Sequence, residues 1–165
     1  MAQTPGRSRS GPEYVESECT ATALRKATRR LTQLYDDALA TTGLRCTQYA
    51  ILEELDRRSR RPPTMSELAN ALVIDRSALG HNLRPLQRDL LIALEASDAD
   101  RRLRHVVLTP EGKAIFARAR RLWRRAQDRF DTVFGRSAAA GLRATLLTIA
   151  RDERLARLED TEPQN

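Results

Sequence analysis

Arginine is the residue of this chain best placed to do chemistry, and it clusters among turn formers. Asp100-Arg101-Arg102, followed by Arg104, lies between two short apolar runs, Leu91–Glu95 and Leu103–Thr109. A planar guanidinium holds a phosphate or a guanine edge through two parallel hydrogen bonds, and a neighbouring carboxylate such as Asp100 fixes its direction beforehand. A second set, Arg76, Ser77, Gly80, His81 and Arg84, recurs at helical spacing, so charged, hydroxyl and small groups share one face. This is chemistry for recognising an anion. No phosphate loop, dinucleotide fingerprint, His-Glu-x-x-His or nucleophile elbow occurs in the sequence, and an enzyme is not expected. Two histidines, His81 and His105, and two distant cysteines, Cys19 and Cys46, make neither a zinc site nor a disulfide framework. No metal or cofactor is expected.

The chain has 165 residues and a formal net charge of +7, and of its 29 basic residues only Lys26 and Lys113 are lysines. That length is one domain's worth. The charge favours an anionic partner, although arginine bias alone does not separate nucleic acid from compositional drift. Residues 1–12 contain Pro5, Gly6, Gly11 and Pro12 without an apolar run, so they read as a disordered, weakly basic arm rather than a signal peptide. No apolar stretch reaches the roughly 18 residues of a spanning helix. A soluble, cytoplasmic protein with no membrane partner and with both cysteines as thiols is expected.

The elements that must position the arginines follow from the periodicity. Leu24, Ala27, Leu31, Leu34 and Ala38 make the stripe of a long first helix from Glu13 to Leu39, stopped at Thr42-Gly43. Thr47 is expected to cap a second helix with Ala50, Ile51, Leu52 and Leu55 inside, ending at Pro62-Pro63. The run Arg57-Arg58-Ser59-Arg60-Arg61 before those prolines reads as a solvated helix end and loop, with a DNA contact as the alternative. Thr64 or Ser66 caps a short third helix with Leu68, Ala69 and Leu72 inward. After a turn at Val73-Ile74-Asp75, a fourth runs from Arg76 to Asp89 with Leu79, Leu83, Leu86 and Leu90 inward. Pro85 predicts a bend or a shortening there. The hairpin follows, then Thr109-Pro110 opens a long fifth helix, Glu111 to Phe134, with Ile115, Ala119, Leu122, Ala126, Phe130 and Val133 as its stripe. Ser137 is expected to cap a sixth, with Leu142, Leu146, Ile149 and Leu155 inward. One chain leaves the long helices little to pack against, which predicts a two-fold pairing with a second copy.

Helix, helix and arginine-tipped ribbon in that order is the pattern of a winged helix-turn-helix, with double-stranded DNA as partner. The chain resembles the MarR family of winged-helix regulators over Val15 to Leu158. The residues that carry the resemblance are Gly43-Leu44-Arg45 with Thr47-Gln48-Tyr49-Ala50-Ile51-Leu52, Leu68-Ala69, Asp75-Arg76-Ser77, Asn82-Leu83-Arg84-Pro85-Leu86, and Asp100-Arg101-Arg102 ahead of Val107-Leu108-Thr109-Pro110-Glu111-Gly112. The resemblance implies a mainly α fold: a winged helix-turn-helix with a two-stranded β wing and long N- and C-terminal dimerisation helices. It implies a homodimer, the fourth helix in the major groove, and Arg102, oriented by Asp100, in the minor groove. Gly80 and His81 stand where relatives usually have a hydroxyl residue and an arginine. Leu90 stands where relatives commonly have glycine.

The organisation expected is a disordered arm at 1–12, a dimerisation helix at 13–45, the winged helix-turn-helix at 46–110, C-terminal dimerisation helices at 111–158 and a flexible tail at 159–165. The expected DNA-binding residues are Arg76, Ser77, Gly80, His81, Arg84, Asp100, Arg101, Arg102 and Arg104, on a pseudo-palindromic operator. Family members often bind phenolic or aromatic acids between the dimer helices and the reading head, which points to Tyr35, Arg45, Tyr49 and Trp123 as an effector crevice or as ordinary packing. Peroxide-sensing members carry a reactive cysteine near the start of the first helix. Cys19 falls about two positions before that place, so a redox role and an inert thiol both stand. The function expected is sequence-specific transcriptional regulation by a homodimeric repressor, released by a small molecule or an oxidant. The alternative is a non-switching architectural or protein-interaction module on the same fold.

Overall fold

The computed structural model describes residues 19–96 and 103–155. Six helices and one hairpin follow one another: α1 Thr20–Leu39, α2 Cys46–Arg57, α3 Met65–Leu72, α4 Arg76–Arg88, β1 Ile92–Ala96, β2 Arg104–Leu108, α5 Pro110–Phe134 and α6 Arg136–Arg151. Short 3-10 turns, Ala40–Thr42 and Glu153–Leu155, continue α1 and follow α6. The mainly helical architecture with a two-stranded antiparallel wing is the one the patterns imply.

Gly43 makes the first corner in the left-handed region, with φ 75°, and its N–H donates to the carbonyl of Ala40. Thr47 is not the cap of α2, which begins one residue earlier. Asp36 reaches across from α1 and its carboxylate accepts the N–H of Cys46 at 2.7 Å, while Gln48 Oε1 accepts the N–H of Arg45 at 2.9 Å. A tertiary contact thus works beside a local one at this helix start. Thr64, by contrast, caps α3 through a reciprocal box: Glu67 N–H donates to its hydroxyl and Glu67 Oε2 accepts its N–H at 2.8 Å. The residues just before that cap belong to the wing. Pro63 is buried, its carbonyl accepts the N–H of Val106 at 2.9 Å, and Thr64 forms an antiparallel bridge with His105.

Both helices of the helix-turn-helix end in the same six-residue closure. Ile74 N–H returns to Ala69 O and Val73 N–H to Asn70 O; Leu91 N–H returns to Leu86 O and Leu90 N–H to Gln87 O. This is the Schellman pattern, in which the residue past the cap is left-handed and is usually glycine. Here it is Val73, φ 52°, and Leu90, φ 55°. Leu90 was expected inside and is 71% exposed instead, because a left-handed residue turns its side chain away from the helix it terminates. Pro85 does not shorten α4, which runs on to Arg88.

The core gathers Leu39, Tyr49, Ile51, Leu52, Leu55, Leu68, Leu79, Leu83, Leu86, Ile92, Val106 and Phe116. Burying each large side chain contributes about 1.5–3 kcal/mol. On α5 the buried residues are Gly112, Phe116, Ala119 and Ala126; Ala119 and Ala126 lie on the expected stripe and Ile115 packs half-buried against the core, but Gly112 and Phe116 lie off the stripe and Val133, at its end, is exposed. Phe116 is 4% exposed and Val133 is 77% exposed, since α1, α2 and the hairpin cover only one flank of α5. At the next corner Gly135, φ 92°, rather than Ser137, caps α6. Only Ala139 of α6 is buried, and Leu147 and Ile149 on it and Leu155 just beyond remain exposed.

Candidate nucleic-acid interface

The face of α4 opposite its buried leucines carries Arg76, Ser77, His81 and Arg84, all exposed, with Gly80 between them. At 100° per residue these five positions fall within an arc of about 140°. No acid occurs from Arg76 to Arg88. The acid at the edge of the face, Asp75, is turned inward on the helix start: its carboxylate accepts the N–H of Ala78 at 2.7 Å and the hydroxyl of Ser77 at 2.6 Å. Those contacts, the Ser77 hydroxyl foremost, hold the Asp75 carboxyl below the usual carboxylate range. They also fix what Ser77 offers outward. With its proton donated to Asp75, the hydroxyl presents lone pairs, which suit the exocyclic amino groups of adenine or cytosine in the major groove.

Gly80 leaves a gap in this face. A Cβ there would meet nothing within 4 Å, so no packing among the described residues requires glycine. A groove wall or a thymine methyl has room to approach the backbone at this point. Asn82, on the flank, is occupied with the carbonyl of Ala78 at 2.8 Å.

The wing strands pair antiparallel, Ile92 with Leu108 through Ala96 with Arg104. Arg104 is exposed at the outer end of β2, next to the tip. Asp100, Arg101 and Arg102 lie outside the described residues. His105 faces Glu95 across the ladder, and its Nδ1 is buried and has no hydrogen-bond partner among the described residues, which closes that nitrogen to a phosphate.

The wing is set on a close backbone contact. Thr109 accepts the N–H of Gly112 at 2.9 Å and donates its hydroxyl to the Leu90 carbonyl at 2.7 Å, and Thr109 N–H donates to Leu91 O. A Cβ on Gly112 would stand 1.9 Å from the Leu91 carbonyl oxygen. The glycine of the Leu-Thr-Pro-Glu-Gly run is therefore a steric requirement where α5 crosses the chain leaving α4. The run is visible in the sequence as a motif, but this contact is not, because its partner Leu91 lies across a backbone crossing.

Of the four expected crevice residues, three meet in one aromatic stack. Tyr35 lies on Trp123 at a centroid distance of 5.6 Å, Trp123 on Tyr49 at 5.5 Å, and Tyr49 on Phe116 at 5.4 Å. The stack joins α1, α5 and α2, so it is the packing link between the long helices and the reading head. Tyr35 donates to Gln127 Oε1 at 2.7 Å, and the buried hydroxyl of Tyr49 is set beside the carboxylate of Glu53. Burial pushes the phenol of Tyr49 far above its ordinary range. Arg45 stands apart, exposed and paired with Asp36 at 3.3 Å. Cys19, also exposed, precedes α1, and the hydroxyl and N–H of Thr22 hold its thiol below the ordinary value. Burial pushes the Cys46 thiol the other way.

Fold and surface together define a winged helix-turn-helix. No family model matches the sequence, and no curated protein matches it. Solved structures do. The chain is similar to the transcriptional regulator MosR of M. tuberculosis, determined in complex with DNA, at 33% identity and TM-score 0.74, over 86% of this chain and 100% of that one. It is similar to the transcriptional repressor CouR bound to a 23-mer DNA duplex, at 32% identity and TM-score 0.73, over 81% and 94% of the two chains. CouR also has a structure bound to p-coumaroyl-CoA. A MarR-family regulator from Rhodococcus sp. RHA1 shares the fold at 19% identity and TM-score 0.70, over 82% and 99%. The chain belongs to the MarR family of winged-helix transcriptional regulators. These neighbours are regulators rather than enzymes. Among the described residues no helix is long and apolar enough to cross a membrane.

Proposed function

We propose that the protein is a sequence-specific DNA-binding repressor that acts as a homodimer on a pseudo-palindromic operator. The observation that carries this reading is the acid-free outer face of α4, anchored by Asp75 and backed by Leu79, Leu83 and Leu86. Arg76, Ser77, His81 and Arg84 read or brace the major groove, Gly80 lets the helix approach closely, and Arg104 with Asp100, Arg101 and Arg102 serves the wing. MosR and CouR, each determined bound to DNA, support DNA as the partner. Pairing is supported by the apolar surface the chain leaves open, Val133, Phe134, Leu147, Ile149 and Leu155. Two copies present two reading heads about one helical turn apart.

The test is a salt titration of binding to a selected duplex and to a random one. A regulator keeps a specificity ratio of roughly 10³ or more, and a flat ratio assigns the protein instead to the architectural class. Selection of bound sites from random DNA supplies the duplex. Unchanged affinity on Arg84→Ala and Arg102→Ala overturns the assignment.

Release by a small molecule that carries an aromatic ring belongs to this reading, supported by the stack that joins head to dimer helices and by the p-coumaroyl-CoA complex of CouR. A ring that wedges between Tyr35, Trp123 and Tyr49 moves α2 relative to α1 and changes the spacing of the heads. Trp123 is the single tryptophan, so its fluorescence reports the event directly. The oxidative version places the signal on Cys19. Mass spectrometry after mild peroxide tests it, and an unmodified thiol with intact release of DNA removes it.

A further inference from the structure

The four arginines at the end of α2 and in the loop to α3 divide into two pairs. Arg57 and Arg58 both engage the carboxylate of Glu54, and with it they line an open groove that faces Leu147 to Leu155 at the end of α6. Arg60 and Arg61 are exposed and are not part of that groove; among the described residues neither makes an ion pair.

The backbone that carries this second pair is fixed at both ends. Behind it, Ser59 N–H donates to Asp56 O at 3.2 Å and Arg61 N–H to Arg58 O at 2.9 Å. Ahead of it, Pro62 and Pro63 hold extended chain, Pro63 is buried, and its carbonyl and the Thr64 bridge fasten the segment to β2 beside Val106 and His105. From Arg61 to Thr64 the chain spans at most about 10 Å. The pair therefore stands where the wing strand meets the start of α3. When α4 occupies a major groove, α3 crosses the adjoining sugar-phosphate backbone. The acid at this corner is Glu67, whose Oε2 is taken by the N–H and the hydroxyl of Thr64, and the nearby charges of Arg61 and Arg58 act on it without forming an ion pair.

We propose that Arg60 and Arg61 form a third DNA contact, beside α4 and the wing, that binds backbone phosphates without reading sequence. The inference rests on the DNA-binding reading above. A guanidinium on a fastened loop loses less freedom on binding than one on a loose arm. Contacts of this kind set the register of the protein on the duplex and carry no base information.

The experiment compares Arg60→Ala/Arg61→Ala with the native protein and with Arg57→Gln/Arg58→Gln, which changes the net charge equally on the groove side. Affinity for a selected and for a random duplex is measured from low to moderate salt, with circular dichroism to confirm folding. The expected result is a slope of log affinity against log salt that is shallower by about 2 per protomer engaged. Affinity falls by the same factor on both duplexes, and Arg60→Lys/Arg61→Lys restores most of the slope. An unchanged slope overturns the proposal, as does a loss confined to the selected duplex. An equal loss in the Arg57/Arg58 control reduces the effect to net charge and overturns it too. A native protein that binds neither duplex sinks the DNA reading itself, and this contact falls with it.

Discussion

The hydroxyl of Thr109 donates to the carbonyl of Leu90 across 2.7 Å, tying the first residue before α5 to the left-handed corner that ends α4. One side chain so joins the reading helix, the wing and the long C-terminal helix. The strain at that corner is local to Leu90, since a side chain in the left-handed region costs about 1–2 kcal/mol.

Leu90→Gly should therefore stabilise the protein, by about 0.5–1 kcal/mol once the extra freedom glycine gives the unfolded chain is subtracted. Val73→Gly should act in the same direction. Denaturant unfolding measures both, and a loss of stability for either would show that the exposed side chain makes contacts that outweigh its backbone strain.

Gly112→Ala should do the opposite. The added methyl falls 1.9 Å from Leu91 O, a backbone atom that moves only if the start of α5 withdraws from the hairpin. Overpacking of this kind costs about 1–3 kcal/mol. The matching readout is a fall in unfolding midpoint together with weaker DNA binding, as the wing is set on the same contact.

Gly80→Ala separates folding from recognition. The site is open, so the helix gains about 0.5–1 kcal/mol from the loss of glycine. If the bare backbone at Gly80 lies against the duplex, affinity falls while stability rises. A variant that gains stability and keeps full affinity would place Gly80 off the interface.

Acid should loosen the start of α4. The Asp75 carboxyl is held down by Ser77 and by the Ala78 N–H, so its folded value lies below its unfolded one. A depressed carboxyl contributes stability above the unfolded value, near pH 4, and loses it as pH falls through the folded value. The pH dependence of unfolding should flatten at the acid end in Asp75→Asn. An identical acid limb in native and variant protein would remove Asp75 from the linkage.

Much of this molecule is legible in the sequence because its signals are local. Thr64 with Glu67, Thr109 with Pro110, and the leucines at 79, 83 and 86 each state a helix start or a helix face within a few residues. The same holds for the outer face of α4, whose polar residues are defined by the leucines they oppose. Chemistry that depends on spacing along one helix needs no knowledge of what lies across from it.

What the sequence determined by itself, then, is the order of elements, the charge, and which residues share the reading face. Tertiary structure alone decided that Asp36 would start α2 from another helix, that Phe116 rather than Val133 would be covered, that Leu90 would turn outward, and that the Arg60-Arg61 loop would be fastened to β2. The physical reason is distance along the chain. Each of these outcomes is fixed by a partner that is remote in sequence or by a backbone crossing, and residue type at one position carries no record of what packing will bring against it.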